Sequence, residues 1–188
     1  MADEFDDILA TMKRAVGALR EAGVPFLLGG GLACWARGGP ETEHDLDLMV
    51  TEENAERALE ALVASGMQPE RPLEDWLLKA HDGDVLVDVI FRPASGQVDE
   101  EMFARAEEME VEAMRVRVMA LEDVLATKLL ALDDHHLDYE SLVEIARSLR
   151  EQVDWHDVRA RTAGSPYAAA FFSLVEELGI VEPSRTGM

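Results

Sequence analysis

Phe26–Val50 reads FLLGGGLACWARGGPETEHDLDLMV. It opens as an apolar run, Phe26–Leu28, and breaks at Gly29, Gly30 and Gly31. A short helix over Leu32–Ala36 follows, then a Gly38-Gly39-Pro40 loop, then a second apolar run that holds Asp45 and Asp47. In a strand, residues two apart project to one face, roughly 6.5–7 Å from each other. Asp45 and Asp47 therefore share a face, and Leu46 and Leu48 point the other way, into a core. Paired carboxylates repel unless a cation lies between them. A hard divalent ion, Mg²⁺ or Mn²⁺, suits such a pair, because it takes a few carboxylate oxygens together with phosphate oxygens.

A third acid extends the pattern. Val85–Phe91 reads VLVDVIF, with Asp88 alone in an apolar strand. A lone ionised group in such a setting is costly. If this strand lies beside Asp45–Val50, Asp88 completes a triad that can hold two metal ions about 3.5–4 Å apart and promote in-line attack at phosphorus. The glycines fit the same chemistry. They lack side chains and join a strand to a helix start, so backbone N–H groups can approach a polyphosphate.

Outward from this stretch, strands and helices alternate. Residues 3–22 place Phe5, Ile8, Leu9, Met12, Val16 and Leu19 at helical spacing, and Gly23 and Pro25 end that helix. Thr51 begins another helix, which Gly66 stops. Trp76–Ala80 and Val85–Phe91 form a hairpin around His81-Asp82-Gly83-Asp84, and Val111–Met119 is β-rich and reads as a further hairpin. From Leu121 the spacing predicts helices over 121–132, 138–150, 154–162 and 167–178. The expected organisation is an α/β domain over 1–120, a helical domain over 121–182 and a flexible tail over 183–188.

Composition narrows the function. The chain has 188 residues, enough to bury a core, and no apolar run long enough to span a membrane. A single cysteine, Cys34, rules out an intrachain disulfide and fits the cytoplasm. The net charge of −22 keeps the protein soluble and repels phosphate backbones, which disfavours broad nucleic-acid binding. Arg115, Arg117 and Lys128, or Arg147, Arg150, Arg159 and Arg161, are the residues that could form a local basic patch. Other candidates have plainer readings. His135 and His136 read as part of a polar loop, Cys34 as a small buried hydrophobe, and Trp35, Trp76 and Trp155 as core or rim packing. His44, just before Asp45, either touches a phosphate or ends the loop.

A Gly-Gly after a strand, then Asp-x-Asp, then a lone Asp on a later strand resembles the nucleotidyltransferase superfamily with the polymerase-β-like fold. The resemblance covers Phe26–Val50 and Val85–Phe91. Within that superfamily the chain is similar to minimal bacterial members, including AbiEii-type toxins and relatives of antibiotic nucleotidyltransferases. TKLLALDDHHLDYESL supplies a helical lysine, Lys128, and an acid ten residues later, Asp138, at places that match the AbiEii-like pattern. This chain departs from the pattern in two places. All three turn residues are glycine, where relatives often carry a hydroxyl, and Glu41 stands where an arginine is common, with Arg37 as its substitute.

The resemblance implies an α+β fold, a mixed sheet flanked by helices with a helical C-terminal domain. It implies transfer of an NMP from an NTP to a hydroxyl. Asp45, Asp47 and Asp88 would be the metal-holding catalytic acids, and Gly29, Gly30, Gly31, Arg37 and Lys128 the nucleotide contacts, with His44 and Asp138 as additions. The expected partners are an NTP (ATP among them) and an acceptor hydroxyl, on a small molecule or protein in preference to tRNA, with a homodimer as the assembly. The alternative is an inactive nucleotide-binding module or toxin–antitoxin partner with the same fold.

Overall fold

The computed structural model describes residues 2–42 and 45–183, so His44 and the tail from Ser184 lie outside the described residues. The helices are α1 (Ala2–Glu21), α2 (Gly30–Trp35), α3 (Ala55–Ala64), α4 (Glu100–Arg105), α5 (Leu121–Leu130), α6 (Tyr139–Leu149), α7 (Trp155–Arg161) and α8 (Pro166–Glu177). The strands are β1 (Leu27–Leu28), β2 (Asp45–Met49), β3 (Gln68–Glu70), β4 (Leu77–Asp82), β5 (Val85–Ile90), β6 (Glu107–Val111) and β7 (Met114–Val118). They form one mixed seven-stranded sheet in the order β3-β4-β5-β2-β1-β7-β6, the α+β architecture expected. No helix among the described residues is long and apolar enough to cross a membrane.

Alternation along β2 and β5 sets the two faces of the sheet. Leu46, Leu48, Val87 and Val89 are fully buried and pack beneath α1 and α3, whose apolar stripes face the same layer. The alternate residues, Asp45, Asp47 and Asp88, stand on the opposite face. α2, α5 and α6 wall that face in part. The C-terminal helices have no core of their own. Phe171, Phe172 and Val175 of α8 and Leu142 and Ile145 of α6 join a single apolar cluster that runs back to Phe5 and Ile8 of α1.

The expected boundaries move in physically readable ways. α2 begins at Gly30, two residues before the apolar positions that predict it. Before α3, Glu52–Asn54 form a 3-10 turn in which Asn54 Nδ2 donates to Thr51 Oγ1 at 2.8 Å, so Thr51 tightens the entry to the helix. β3 and α4 carry no strong periodic signal. β3 is an exposed edge, and α4 is a short helix capped by Asp99, whose carboxylate accepts from Met102 N. The β6–β7 hairpin turns through Glu112 and Ala113, both at positive φ (50° and 62°) without a glycine. A left-handed non-glycine residue costs roughly 1–2 kcal/mol, part of which a glycine gives back in chain entropy. Ala113→Gly is expected to stabilise the fold by about 0.5–1 kcal/mol, read as a higher midpoint in urea with unchanged slope.

Candidate active site

The parallel pairing of β2 with β5 sets Asp47 directly opposite Asp88, and the antiparallel pairing of β4 with β5 sets Lys79 opposite Asp88 on the other side. A charged row, Lys79–Asp88–Asp47, thus crosses the middle of the sheet. Asp45 stands on the same face, one step nearer the start of β2 and opposite Leu86. Asp88 is 8% exposed, and its Oδ1 lies 3.3 Å from Lys79 Nζ yet accepts no hydrogen bond. Burial pushes the Asp47 carboxyl up to about 7; Lys128 pulls it down, and Asp88 and Asp45 push it up further. Burial also raises Asp88, against the pull of Lys79. Among the described residues no three His, Cys, Asp or Glu side chains already converge as a metal cage.

The glycine turn is shaped by this row. Gly29 N donates to Asp47 O at 2.9 Å, which locks the turn to β2. Gly30 has φ +52°, and a Cβ there would stand 1.6 Å from Asp47 Oδ2. A Cβ on Gly31 would stand 2.5 Å from Thr42 Oγ1 and 2.6 Å from Thr42 Cβ. Two of the glycines read as room for a phosphate are therefore, first, room for two side chains of this chain, Asp47 and Thr42.

α5 brings in the cation. Its buried Asp123 accepts from Arg105 Nε and Nη2, both at 3.0 Å, and from Arg161 Nη1 at 2.6 Å. Two arginines, from α4 and α7, thus fix one carboxylate that is 3% exposed. Buried charges need such partners, and the clamp sets the angle of the helix that carries Lys128. Asp138 caps α6, its Oδ1 accepting from Ser141 N at 3.1 Å.

Two cavities flank this arrangement. One, of about 460 Å³, is lined by Asp45, Asp47, Lys128 and Asp138, with Gly31 and Thr42 at its wall. The other, of about 610 Å³, is lined by Asp47, Asp88 and Lys128, with Gly30 and Trp76. Asp47 and Lys128 line both, Asp45 the first alone and Asp88 the second alone.

Arg37 is not brought to either cavity. Its Nη1 donates to Ala33 O at 2.9 Å and its Nη2 lies 3.7 Å from Glu107, facing a separate cleft with Glu122 and Gln152. Cys34 is buried, and His135 and His136 sit in an exposed loop whose backbone N–H groups donate to Asp133. Trp35 packs edge-on to Phe5 and Trp155 to Phe172, whereas Trp76 is 40% exposed on the wall of the larger cavity. The sequence reading passes over Lys79, Thr42 and Asp123. Lys79 had a signal, a lone cation inside the strand LLKAHD, and Asp123 another, an acid on an otherwise apolar stretch of helix. Thr42 had none, because its place depends on how the 38–42 loop folds over Gly31.

Comparison with solved structures finds the same fold. The antibiotic-resistance factor ANT(2'')-Ia superposes with a TM-score of 0.61 at 20% identity, over 91% of this chain and 96% of that one. The lincosamide antibiotic adenylyltransferase LnuA gives 0.54 at 12% identity, over 77% and 97%. A nucleotidyltransferase described as putative from Thermotoga maritima, TM1012, gives 0.53 at 16%, over 78% and 92%. No curated protein matches the chain by sequence. Residues 6–176 match the family described as "Uncharacterised nucleotidyltransferase", and with the match spanning nearly the whole chain the protein belongs to that family of nucleotidyltransferase enzymes, without being resolved to the AbiEii-type branch.

Proposed function

We propose that the protein moves a nucleoside monophosphate from an NTP to a hydroxyl of a small molecule. One observation carries this reading: two cavities share Asp47 and Lys128 as their common wall, with Asp45 on one side and Asp88 on the other. In-line transfer needs the nucleophile and the leaving group on opposite sides of phosphorus, and this division supplies two sides. The donor lies in the smaller cavity and the acceptor in the larger, with the α-phosphorus at the shared wall. The acceptor oxygen attacks that phosphorus, the bond from phosphorus to the oxygen bridging to the β-phosphate breaks, and pyrophosphate leaves. The acceptor's proton passes to Asp88, whose raised proton affinity suits a base.

The residues fit a divalent ion. Asp88 has a buried oxygen without a hydrogen bond, and Asp47 is raised by burial and, after it, by Asp88 and Asp45, so a cation among the three acids is favoured. Asp45, Asp47 and Asp88 would hold Mg²⁺ or Mn²⁺, which when bound neutralises phosphate charge. Phosphate oxygens also need donors. The smaller cavity is rich in carboxylates, which accept only, so Lys128, the Thr42 hydroxyl and the Ser141 hydroxyl are its side-chain donors of weight. In this reading the Thr42 hydroxyl stands in for the one the glycine turn lacks, and Arg37 has no part.

The neighbours support a small-molecule acceptor and ATP as a donor, since ANT(2'')-Ia was crystallised with adenylyl-2''-tobramycin and LnuA with lincomycin. An RNA acceptor is disfavoured. Arg115, Arg150, Arg159 and Arg161 each sit against a carboxylate, which leaves them poor material for a basic patch.

Labelled NTP incubated with the protein and a small-molecule extract is expected to yield a labelled product, absent with Asp45→Ala; absence of any labelled product with the native chain overturns the reading. Asp88→Asn is expected to lower kcat about 10²–10⁴-fold while calorimetry shows NTP binding retained.

Thr42→Val is expected to weaken binding of Mg²⁺–triphosphate about tenfold, the loss of one hydrogen bond to a charged group. Gly31→Ser combined with Thr42→Gly is expected to restore it, because the new hydroxyl occupies the space that Thr42 vacates. Equal affinity in Thr42→Val removes Thr42 from the site.

The raised Asp47 predicts a pH effect. Unfolded, this carboxyl titrates near 3.9; folded, it titrates at about 7. The native state therefore holds more protons between these values, and stability falls as pH rises through this window. In EDTA, thermal unfolding is expected to shift to lower temperature from pH 5 to pH 8, and Asp47→Asn is expected to flatten that slope. Mg²⁺ is expected to stabilise the native protein at pH 8 and not the variant.

A further inference from the structure

We infer that the acceptor is an alcohol with a broad apolar face and little net charge, held in the larger cavity between Trp76 and Asp88. This rests on the transfer reading above and adds the acceptor's chemical class. The cavity measures about 610 Å³, within the range of pockets that enclose drug-sized molecules. Its wall is mainly apolar: Met49 and Ile90 from the sheet, Met119 at the entry to α5 and Val124 on it. Trp76 leaves 40% of its surface open there, unlike Trp35 and Trp155, which pack on phenylalanines. Burying an aromatic face against an apolar ligand is its most favourable use. Asp88 is the polar group set among Met49, Ile90 and Trp76: 8% exposed, lining the cavity, with an oxygen that lies 3.3 Å from Lys79 Nζ and accepts no hydrogen bond. A hydroxyl is the group that meets it, donating its proton there.

The charges exclude the other classes. Asp75 and Arg92 line the same cavity and pair with each other: Arg92 Nη2 donates to the Asp75 carbonyl oxygen and lies 3.2 Å from its carboxylate, while Arg92 Nε is buried without a hydrogen bond. That pair contributes no net charge. A polyamine would find more carboxylates in the other cavity, which adds Glu41, Asp45, Asp138, Glu140 and Glu144 to the shared Asp47, than in this one, where Asp75 pairs with Arg92 and Asp47 and Asp88 share the wall with Lys128. A nucleic acid would need several free cations along its backbone, and the cavity offers Arg92, paired with Asp75, and Lys128 at the shared wall.

The test uses the full chain, labelled ATP, CTP, GTP and UTP, and three acceptor sets: steroid alcohols and hydroxylated aryl glycosides, polyamino sugars, and bulk tRNA. Label is expected on members of the first set. For those, Trp76→Ala is expected to raise the acceptor KM about tenfold or more with kcat within about twofold and calorimetric NTP affinity unchanged. Trp76→Phe, which keeps an aromatic face, is expected to recover most of the loss. Label on polyamino sugars or tRNA, label on none of the sets while NTP still binds, or an unchanged KM in Trp76→Ala overturns the inference and leaves nucleotidyl transfer standing. A native chain that neither binds nor turns over any NTP overturns the transfer reading itself.

Discussion

The site depends on one constraint, the placing of like charges side by side inside a sheet. Asp47 and Asp88 are register partners on β2 and β5. Their strands are held together by apolar residues on the reverse face, where Leu46, Leu48, Val87 and Val89 are buried beneath α1 and α3. Repulsion on one face is offset by burial on the other, and Lys79 beside Asp88 relieves part of it. Gly30 then follows as a necessity: the carboxylate of Asp47 fills the volume where any other residue would carry a Cβ. Strand pairing, the glycine turn and the acid–base character of the site are three consequences of a single row of side chains.

Lys128 is the cation that joins this row at the wall of both cavities. Lys128 rides on α5, and α5 is oriented by Asp123 bound to Arg105 and Arg161. Replacing one arginine would leave a buried carboxylate half-paired, a costlier state than an exposed one. The helical region thus does more than wall the cavities. Through α7 it helps to set the position of Lys128, one of the two residues that both cavities share, and through α6 and its cap it supplies Ser141 and Asp138 to the smaller one. A single apolar core joins the helices to the sheet, so this geometry is built into the fold as a whole.

Much of this is written locally in the sequence. Asp45, Asp47 and Asp88 announce themselves because acids in apolar strands are anomalous, and adjacency of their strands turns the anomaly into a site. Lys128 and Asp138 come from the resemblance to the AbiEii-like pattern rather than from periodicity. Arg37 misleads because a helix so short gives no reliable rotational phase: it points at Glu107 and not at the acids. Thr42 and Trp76 are invisible for another reason. Each gains its role from what lies opposite it, Gly31 in one case and Asp88 across a cavity in the other, and neither relation is encoded in spacing. The glycines were legible in position but not in cause, since crowding by Asp47 and Thr42 is a tertiary fact.

Net charge also changes meaning once it is placed. A value of −22 speaks of solubility and of repulsion toward phosphate backbones when it is spread over the whole chain. In the fold the acids are unevenly divided: the smaller cavity collects Glu41, Asp45, Asp47, Asp138, Glu140 and Glu144, while the larger is mainly apolar around Asp88. An excess of carboxylates on the donor side is tolerable if phosphate arrives with divalent cations, since those cations need oxygen ligands. An apolar acceptor side gives a different advantage, because excluding water around Asp88 keeps its proton affinity raised and denies water the place of the nucleophile. In the proposed reading the same global charge would serve metal recruitment in one cavity and leave selection of the alcohol to shape and burial in the other.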